Sequence, residues 1–414
     1  MMTNVMTATD IDTLDLYRLE ANAGSTGKPE WAAMLTYVAR LHRQSVLAPT
    51  PPFTRSWEEI GPGYQASPAF GHWDIVHQII DVLPHSPAHA LAQIRNNLDM
   101  QQRDGFLPGA VWMRYEAPSW SLSQTHPPVW PVAVDEYVRA SGDVDILGIA
   151  LPVASRQIAW FEQKRKAEGE GYYYSDILTH EWESGVDEGI RFIGIHRGPK
   201  TCVDATSHVA LLYRTAAEWS ERIGTDSSRY RDRLSQIERY VQTNLFDSET
   251  GFFHDSWAVG TPAVRTMAYE GIWPLVAGIA TPEQAMRVID ENLLSEKRFL
   301  APHPITTVAR DDPHFELRMW RGPAWNSMTY WAARGCAEYK RWDAVRLLLE
   351  RALDASAKQF ELTGTIWEFY DPFGGDPRKL LRKPGTEQTM PCRDYLGHNP
   401  LIAMARLWEL ARRQ

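Results

Sequence analysis

The feature that most constrains the fold is an apolar pattern with helical spacing that returns along the whole chain. Apolar residues recur at intervals of three and four, whereas the alternation typical of strands is short and rare. The sequence therefore predicts an all-α protein. The pattern indicates about a dozen helices, at residues 29–47, 73–83, 87–102, 128–140, 143–168, 205–222, 227–245, 267–277, 282–293, 323–339, 342–358 and 400–413.

Three of these helices carry clear start signals. Ser86, Thr281 and Asn399 each place a capping side chain directly before a proline, which suits the first helical position. Gln284 lies three residues after Thr281 and completes the pattern of a capping box. We expect all three side chains to cap their helices.

The connections between helices alternate between short and long. Loops as long as the longer ones are usually functional, and their aromatic content argues against disorder. This alternation favours an (α/α)6 barrel, in which inner and outer helices form two rings and the long loops gather at one end around a pocket. Nothing resembles an interdomain linker, so residues 21–414 are predicted to form one domain after an N-terminal extension, 1–20. The long segments are 57–71, 104–124, 169–203, 300–322 and 363–398.

Composition excludes several classes of protein. The net charge is -9 and basic residues form no cluster, which disfavours nucleic-acid binding. The N-terminus lacks the apolar core of a signal peptide, and no stretch approaches the roughly 18 apolar residues that span a bilayer. Three widely spaced cysteines, no HExxH and no familiar ligand spacing predict no disulfide framework, no metal and no cofactor. We expect a cytoplasmic protein without nucleic-acid or membrane partners, and the oligomeric state stays open.

Aromatic residues point to a carbohydrate ligand. The chain contains 17 Trp and 16 Tyr, many of them in the long segments. A sugar ring presents an apolar C–H face and a rim of hydroxyl groups, so it suits aromatic faces set beside polar side chains. Taken singly, a tryptophan is more often a core residue.

One long segment, 171–192, gathers carboxylates among aromatic residues. Carboxylates in such surroundings tend to have a raised pKa, as a general acid requires at neutral pH, although acidic loop residues are also commonly just solvated. A second acidic position, Glu368, lies between Trp367 and the aromatic pair Phe369 and Tyr370. A glycosidase needs two such carboxyl groups. The carboxylates of the first segment are Asp176, Glu181, Glu183, Asp187 and Glu188.

Further candidate ligands of a sugar lie beside predicted helix starts. Arg321, in the segment RMWRGPAWNSMTY, is expected either to donate hydrogen bonds to substrate or to form a surface salt bridge. The segments FGHWD at 70–74 and SQTHPPVWP at 123–131 each combine an aromatic with polar residues. The predicted substrate-binding residues are Trp73, Asp74, Gln124, His126, Trp182, Trp320, Arg321, Trp325 and Tyr370.

In this order, FGHWD, THPPVWP, ESGVDEGIRF, WRGPAWNSMTY and WEFYDP resemble the motifs of glycoside hydrolase family 63. The similarity extends to its small mannosylglycerate and glucosylglycerate hydrolases and, more distantly, to trehalases. The resemblance implies an (α/α)6 barrel that hydrolyses a small α-glucoside or α-mannoside with inversion and without a metal. It also implies that Asp187 is the general acid and Glu368 the general base.

The sequence departs from that family at two places. His126 stands where these hydrolases usually have glutamine. An additional stretch, 373–392, follows Glu368 and contains the alternative base Glu387. Its basic residues would either close over an anionic substrate or belong to a solvated loop, and we expect the loop. They are Arg378, Lys379, Arg382 and Lys383.

Two other functions remain open on the sequence. The first is a sugar isomerase or epimerase, because such barrels also support proton transfer by histidine. The second is a non-catalytic carbohydrate-binding protein, which would require one of the two carboxylates to point away from the pocket. The histidines in or near the long loops are His126, His180, His196, His303 and His398.

Overall fold

The chain is mostly helical. A computed structural model describes residues 8–64, 68–113, 118–179, 182–195, 198–385 and 388–414. Its α-helices are α1 Ala8–Ala23, α2 Ala32–Gln44, α3 Asp74–Val82, α4 Pro87–Asp99, α5 Trp130–Ser141, α6 Ile146–Lys164, α7 Asp176–Thr179, α8 Val203–Arg222, α9 Ser228–Asn244, α10 Trp273–Val276, α11 Pro282–Arg287, α12 Asn326–Glu338, α13 Trp342–Thr363 and α14 Leu401–Ala411.

Each of the twelve predicted helices has a counterpart, and two α-helices in the described ranges were not predicted. The short α7 lies inside a long loop, and α1 lies in the predicted N-terminal extension. Helix α1 crosses the predicted boundary at residue 20 and buries Leu16 and Leu19 in the main hydrophobic core. The segment before residue 20 is therefore packed against the remainder of the chain, on α2 and α4.

One of the three predicted caps is confirmed. Thr281 accepts from the Gln284 amide, and the Gln284 side chain accepts from the Thr281 amide in return. The prediction was wrong for Ser86, whose hydroxyl donates to the main chain of Asp15, and for Asn399, whose amide donates to the Trp367 and Tyr395 carbonyls. These two side chains join distant segments instead of capping their own helices.

The helices divide into a buried set and a partly exposed set. Helix α3 buries all of its residues and α8 buries most, whereas α9 and α13 each bury one face. Among the buried helices, α14 contacts α3, α3 contacts α5, and α10 lies between α8 and α12. Helices α4, α6 and α13 each pack across two members of this set. The core thus lies between an inner and an outer layer of helices.

Strands in the described residues are two or three residues long and form three small antiparallel sheets. The three-stranded sheet has the order β3–β4–β5, pairs Phe70 with Val111, and forms part of the cavity wall described below. The strands are β1 Val46–Leu47, β2 Trp57–Glu58, β3 Ala69–Gly71, β4 Ala110–Trp112, β5 Ser119–Trp120, β6 Phe246–Asp247 and β7 Phe252–Phe253.

A buried ionic cluster joins α2, β2, α3 and α4. The ring nitrogens of His42 lie 2.6 Å from Glu58 and 3.0 Å from Asp81, and His89 lies 2.7 Å from the other Glu58 oxygen. All four side chains are buried. Asp81 also accepts from the main-chain amide of Ala403 at the start of α14. The cluster ties the first and last parts of the helical array together.

No helix in the described ranges is both long enough and apolar enough to span a bilayer.

Candidate active site

The long loops enclose a cavity of about 490 Å³. This volume lies within the range of small-molecule sites. Eight of the predicted site residues line it: Trp73, Asp74, His126, Trp182, Asp187, Trp320, Trp325 and Glu368. Seven further side chains that carry polar or aromatic groups were not predicted as site residues: Tyr64, Trp112, Ser119, Arg382, Lys383, Tyr395 and His398.

The aromatic walls are rigidly packed. The Trp320 and Trp325 rings stack with centroids 3.8 Å apart and planes 7° apart, and Phe369 stacks on Trp325 from the other side. Elsewhere in the wall, Trp112 meets Trp182 edge to face at 5.7 Å. This packing holds the rings of the cavity wall in fixed positions.

Asp187 lies at the end of a turn that a buried carboxylate organises. Asp176, on α7, accepts hydrogen bonds from the amides of Glu183 and Ser184 at 2.8 and 2.6 Å. Gly185 follows with φ +77°, a left-handed conformation that a side chain disfavours. Asp187 follows this turn, and it lines the cavity.

Glu183 supports the same turn. Its buried carboxylate forms a two-point ion pair with Arg165 at 2.8 Å and accepts from the amides of Thr125 and Ser175. These contacts fasten the turn to the end of α6. Burial raises the pKa of Asp176 well above its usual range. Of the carboxylates predicted in this segment, Asp187 faces the cavity, Asp176 and Glu183 support it, and Glu181 lies outside the described residues.

Glu368 is held from three directions. Its amide donates to the Cys392 carbonyl at 2.8 Å, and the Cys392 amide donates to Glu368 Oε2 at 3.0 Å. The Arg382 guanidinium donates from Nη2 to Oε1 at 2.7 Å. Arg382 is buried, and its Nε and Nη1 have no partner among the described residues. The carboxylate and its guanidinium therefore form a fixed pair in the cavity wall. Glu387 lies outside the described residues.

A third acidic residue, Asp74, lies at the start of α3. Tyr395 donates to its Oδ1 at 2.9 Å. The main chain approaches so closely that a Cβ atom at Gly71 would lie 2.0 Å from Oδ2. Burial raises the pKa of Asp74 to about 7, with Glu368 and Asp187 adding to the effect and the hydrogen bond from Tyr395 opposing it.

Two histidines face the cavity. His398 accepts from the Trp73 indole at Nε2, 3.1 Å away, and its Nδ1 lies 2.7 Å from the Ser327 hydroxyl. Burial lowers the pKa of His398 well below its usual range and that of His126 to about 3. His303 lies behind the wall against Asn326. Both ring nitrogens of His398 are thus engaged, by Trp73 and by Ser327. His180 and His196 lie outside the described residues.

Three predicted binding residues do not line the cavity. Arg321 donates from Nε to the Glu188 carbonyl at 2.7 Å and pairs with Glu188 and Glu316 at 3.5 Å, so its partly exposed ion pairs correspond to the surface alternative. Tyr370 is buried beneath the wall, where its hydroxyl accepts from the Trp367 amide. Gln124 joins the wall through its carbonyl, which accepts from the Gly109 amide.

The prediction of a solvated basic loop was wrong for two of its four residues. Arg378 pairs with Asp376 beside it, and Lys379 is exposed. Arg382 instead pairs with Glu368, and the Lys383 ammonium hydrogen-bonds Asp187 Oδ2. The partners of Arg382 and Lys383 are 14 and 196 residues away in sequence, so a local sequence pattern does not predict these contacts.

Another buried group brings possible metal ligands together, away from the cavity lining. Ligand atoms of Cys202, Asp204 and Asp255 lie within 4.8 Å of one another. Arg191 pairs with both of these carboxylates and lies 3.8 Å from Glu270. The Arg191 guanidinium therefore already balances the negative charge of these carboxylates, as a bound metal ion would.

Comparisons with known proteins agree with this geometry. A profile of the family described as the mannosylglycerate hydrolase MGH1-like glycoside hydrolase domain matches residues 68–389. Mannosylglycerate hydrolase MGH2 of Selaginella moellendorffii is 24% identical over 332 residues. This match covers 65% of the chain and spans 66% of the length of the plant protein.

Solved structures share the fold. The GH63 mannosylglycerate hydrolase from Thermus thermophilus, in complex with Tris and D-glycerate, has a TM-score of 0.69 at 18% identity, over 90% of this chain and 99% of that one. Neutral trehalase Nth1 from Saccharomyces cerevisiae has a TM-score of 0.62 at 16% identity, over 83% of this chain and 73% of that one.

Proposed function

Since the chain belongs to the mannosylglycerate hydrolase MGH1-like glycoside hydrolase domain family, we propose that it hydrolyses an α-glycosidic bond with inversion of configuration. Asp187 acts as the general acid and protonates the leaving oxygen. Glu368 acts as the general base and takes a proton from the water that attacks the opposite face of the sugar.

One observation carries this proposal. Asp187 and Glu368, separated by much of the chain, face the same aromatic-walled cavity from two different loops. The non-catalytic alternative would require one of the two carboxylates to point away from the cavity, and both of them line it.

The arrangement of the helices also supports the proposed function. We infer that the inner helices, α3, α5, α8, α10, α12 and α14, close into one ring with an outer ring around it, which makes an (α/α)6 barrel. The contacts of α14 with α3 bring the last inner helix beside the first. The long loops then meet at one end of the ring, around the cavity.

The substrate is a small α-mannoside or α-glucoside. A cavity of about 490 Å³ suits a sugar with a short aglycone better than a polysaccharide chain. Two relatives named above are mannosylglycerate hydrolases and a third is a trehalase. Mannosylglycerate, glucosylglycerate, trehalose and kojibiose are therefore the first compounds to test.

The test is incubation of the purified protein with this panel and with free mannose and glucose, followed by quantification of released sugar. Release of free hexose from at least one α-glycoside is the expected result. Interconversion of the free sugars without hydrolysis would replace the proposal with the isomerase alternative. Binding of a glycoside without turnover would make the protein a carbohydrate-binding protein.

A further inference from the structure

We propose that Arg321 is a positioning residue for the general acid, because its hydrogen bond to the Glu188 carbonyl holds the turn that contains Asp187. The inference rests on the proposed function and adds to it a residue outside the cavity lining. It assigns a role in the reaction to a side chain whose other contacts are partly exposed ion pairs.

Asp187 and Glu188 occupy the two central positions of one tight turn. The Gly189 amide donates to the Val186 carbonyl at 3.2 Å, which closes the turn around them. Glu188 has φ +62°, whereas Asp187 is not among the described residues with positive φ. This combination matches a type II turn, in which the second central position favours glycine. The residue after the proposed acid is therefore a glutamate held in a left-handed conformation.

The contact that holds this conformation comes from another loop. A residue other than glycine seldom adopts a left-handed conformation, which persists where surrounding contacts enforce it. Arg321 donates from Nε to the Glu188 carbonyl at 2.7 Å. Its ion pairs with the Glu188 and Glu316 carboxylates are longer, at 3.5 Å, and exposed pairs of this kind contribute little. The bond to the main chain is thus the contact that fixes the turn.

The segment that carries Arg321 is itself fixed. Trp320, the preceding residue, is 2% exposed and stacks on Trp325 in the cavity wall. Gly322, the following residue, donates its amide to the buried Thr307 hydroxyl at 3.0 Å. Arg321 therefore connects the turn of Asp187 to a rigid part of the aromatic wall.

The position of this turn determines whether the acid can act. A general acid must lie within hydrogen-bond reach of the leaving oxygen, and a small displacement of a reacting group costs much of its effect. Without the bond from Arg321, Glu188 can relax to a more common conformation, and the Asp187 main chain moves with it. Arg321 does not line the cavity, so substrate binding does not depend on it directly. Its loss should affect protonation of the leaving group more than binding.

The test compares an α-glycoside with the α-fluoride of the same sugar. Fluoride departs with little protonation, whereas the glycosidic oxygen needs the acid. Arg321→Met removes the donors and keeps a long side chain. Its kcat for the best α-glycoside should fall by at least about tenfold, with KM unchanged and hydrolysis of the fluoride at the wild-type rate. Glu316→Gln removes one ion pair but keeps the bond to the main chain, so it should match the wild type on both substrates.

A second pair of variants tests the turn without changing Arg321. Glu188→Gly and Glu188→Val both lose the ion pair with Arg321, but glycine suits a left-handed conformation and a β-branched residue does not. Glu188→Val should therefore hydrolyse the glycoside at least about tenfold more slowly than Glu188→Gly, without such a difference on the fluoride. Equal rates on the glycoside would contradict the inference, even if Arg321→Met does not fold.

Asp187→Asn is the reference for loss of the acid, and it should lose hydrolysis of the glycoside much more than that of the fluoride. An equal loss on both substrates in Arg321→Met, or no loss, would overturn the inference and leave the proposed function intact. An equal loss on both substrates in Asp187→Asn would remove the acid role from Asp187 and the inference with it. Absence of all glycoside hydrolysis by the wild type would remove the proposed function itself.

Discussion

At the scale of single residues, two carboxylates of similar chemistry have different surroundings. Glu368 is buried beside the Arg382 guanidinium and accepts a hydrogen bond from a main-chain amide. Asp187 is partly exposed and contacts the ammonium group of Lys383. The proposed acid and the proposed base thus differ in burial and in the cation that each of them contacts.

Asp187→Asn should fold normally and lose activity. Asparagine keeps the shape of the side chain but has no carboxyl proton to give, so we expect kcat to fall by about 10² to 10⁴-fold. The measurement is steady-state hydrolysis of the best α-glycoside, with circular dichroism as the check on folding. Glu188→Gln, which changes the neighbouring carboxylate paired with Arg321, is the matched control and should stay near wild-type activity. Near-normal turnover in Asp187→Asn would remove Asp187 from the mechanism.

Glu368→Gln tests the base. Loss of the acceptor for the water proton should lower kcat by about 10² to 10⁴-fold, while Glu387→Gln should remain active. Both variants are assayed on the same substrate under the same conditions. The reverse pattern, an active Glu368→Gln and an inactive Glu387→Gln, would keep the role of a base but assign it to Glu387.

The sequence predicted these carboxylates but not all of their partners. The resemblance to the family's motifs assigned the roles of Asp187 and Glu368, and Glu368 also lies between aromatic residues in the chain itself. Arg382 and Lys383 resembled a solvated basic loop, since their partners come from other segments. Arg321 was ambiguous for the same reason, and Glu188 and Glu316 determine its position.

At the scale of elements, apolar spacing predicted where helices form better than it predicted what their ends contact. Thr281 caps α11 because its partner, Gln284, lies in the same turn. Ser86 and Asn399 have the same local pattern, but their side chains donate hydrogen bonds to carbonyl groups that are distant in sequence. Helix α1 was missed because its start was interpreted as an extension, although Leu16 and Leu19 pack into the core.

The buried cluster of His42, Glu58 and Asp81 makes the packing of elements depend on pH. Burial lowers the pKa of His42, but the charges of Glu58 and Asp81 outweigh it and raise the pKa from 6.5 to about 10. Burial raises the pKa of Glu58, but His42 and His89 outweigh it and lower the pKa from 4.5 to about 2. The stabilisation is complete from about pH 4.5 to 6.5 and is lost as the pH rises towards 10 or falls towards 2.

His42→Gln should therefore lower the free energy of unfolding by about 3 to 5 kcal/mol near pH 5.5, because it leaves buried carboxylates without their cation. The difference from the wild type should shrink as the pH rises above 6.5. Urea unfolding at several pH values measures both effects, with the surface variant His314→Gln as a control for the loss of an imidazole. A difference that is independent of pH would mean that His42 is uncharged in the folded protein.

At the scale of the whole molecule, alternating loop lengths predicted a helical fold with a pocket among the long loops. The cavity lies there, and segments from residue 60 to residue 398 contribute to its lining. What the sequence could not supply is the direction of each side chain. Tyr370 and Gln124 belong to the right loops but not to the cavity lining, whereas Tyr395 and His398 line it.

The stereochemistry of hydrolysis tests the central claim most directly. Proton NMR spectra recorded in the first minutes of wild-type hydrolysis of an α-mannoside or α-glucoside identify the anomer released before mutarotation. Attack of a Glu368-activated water on the face opposite the leaving group predicts that the β-anomer appears first. Release of the α-anomer first would mean retention of configuration and would contradict the assignment of Glu368 as a water-activating base.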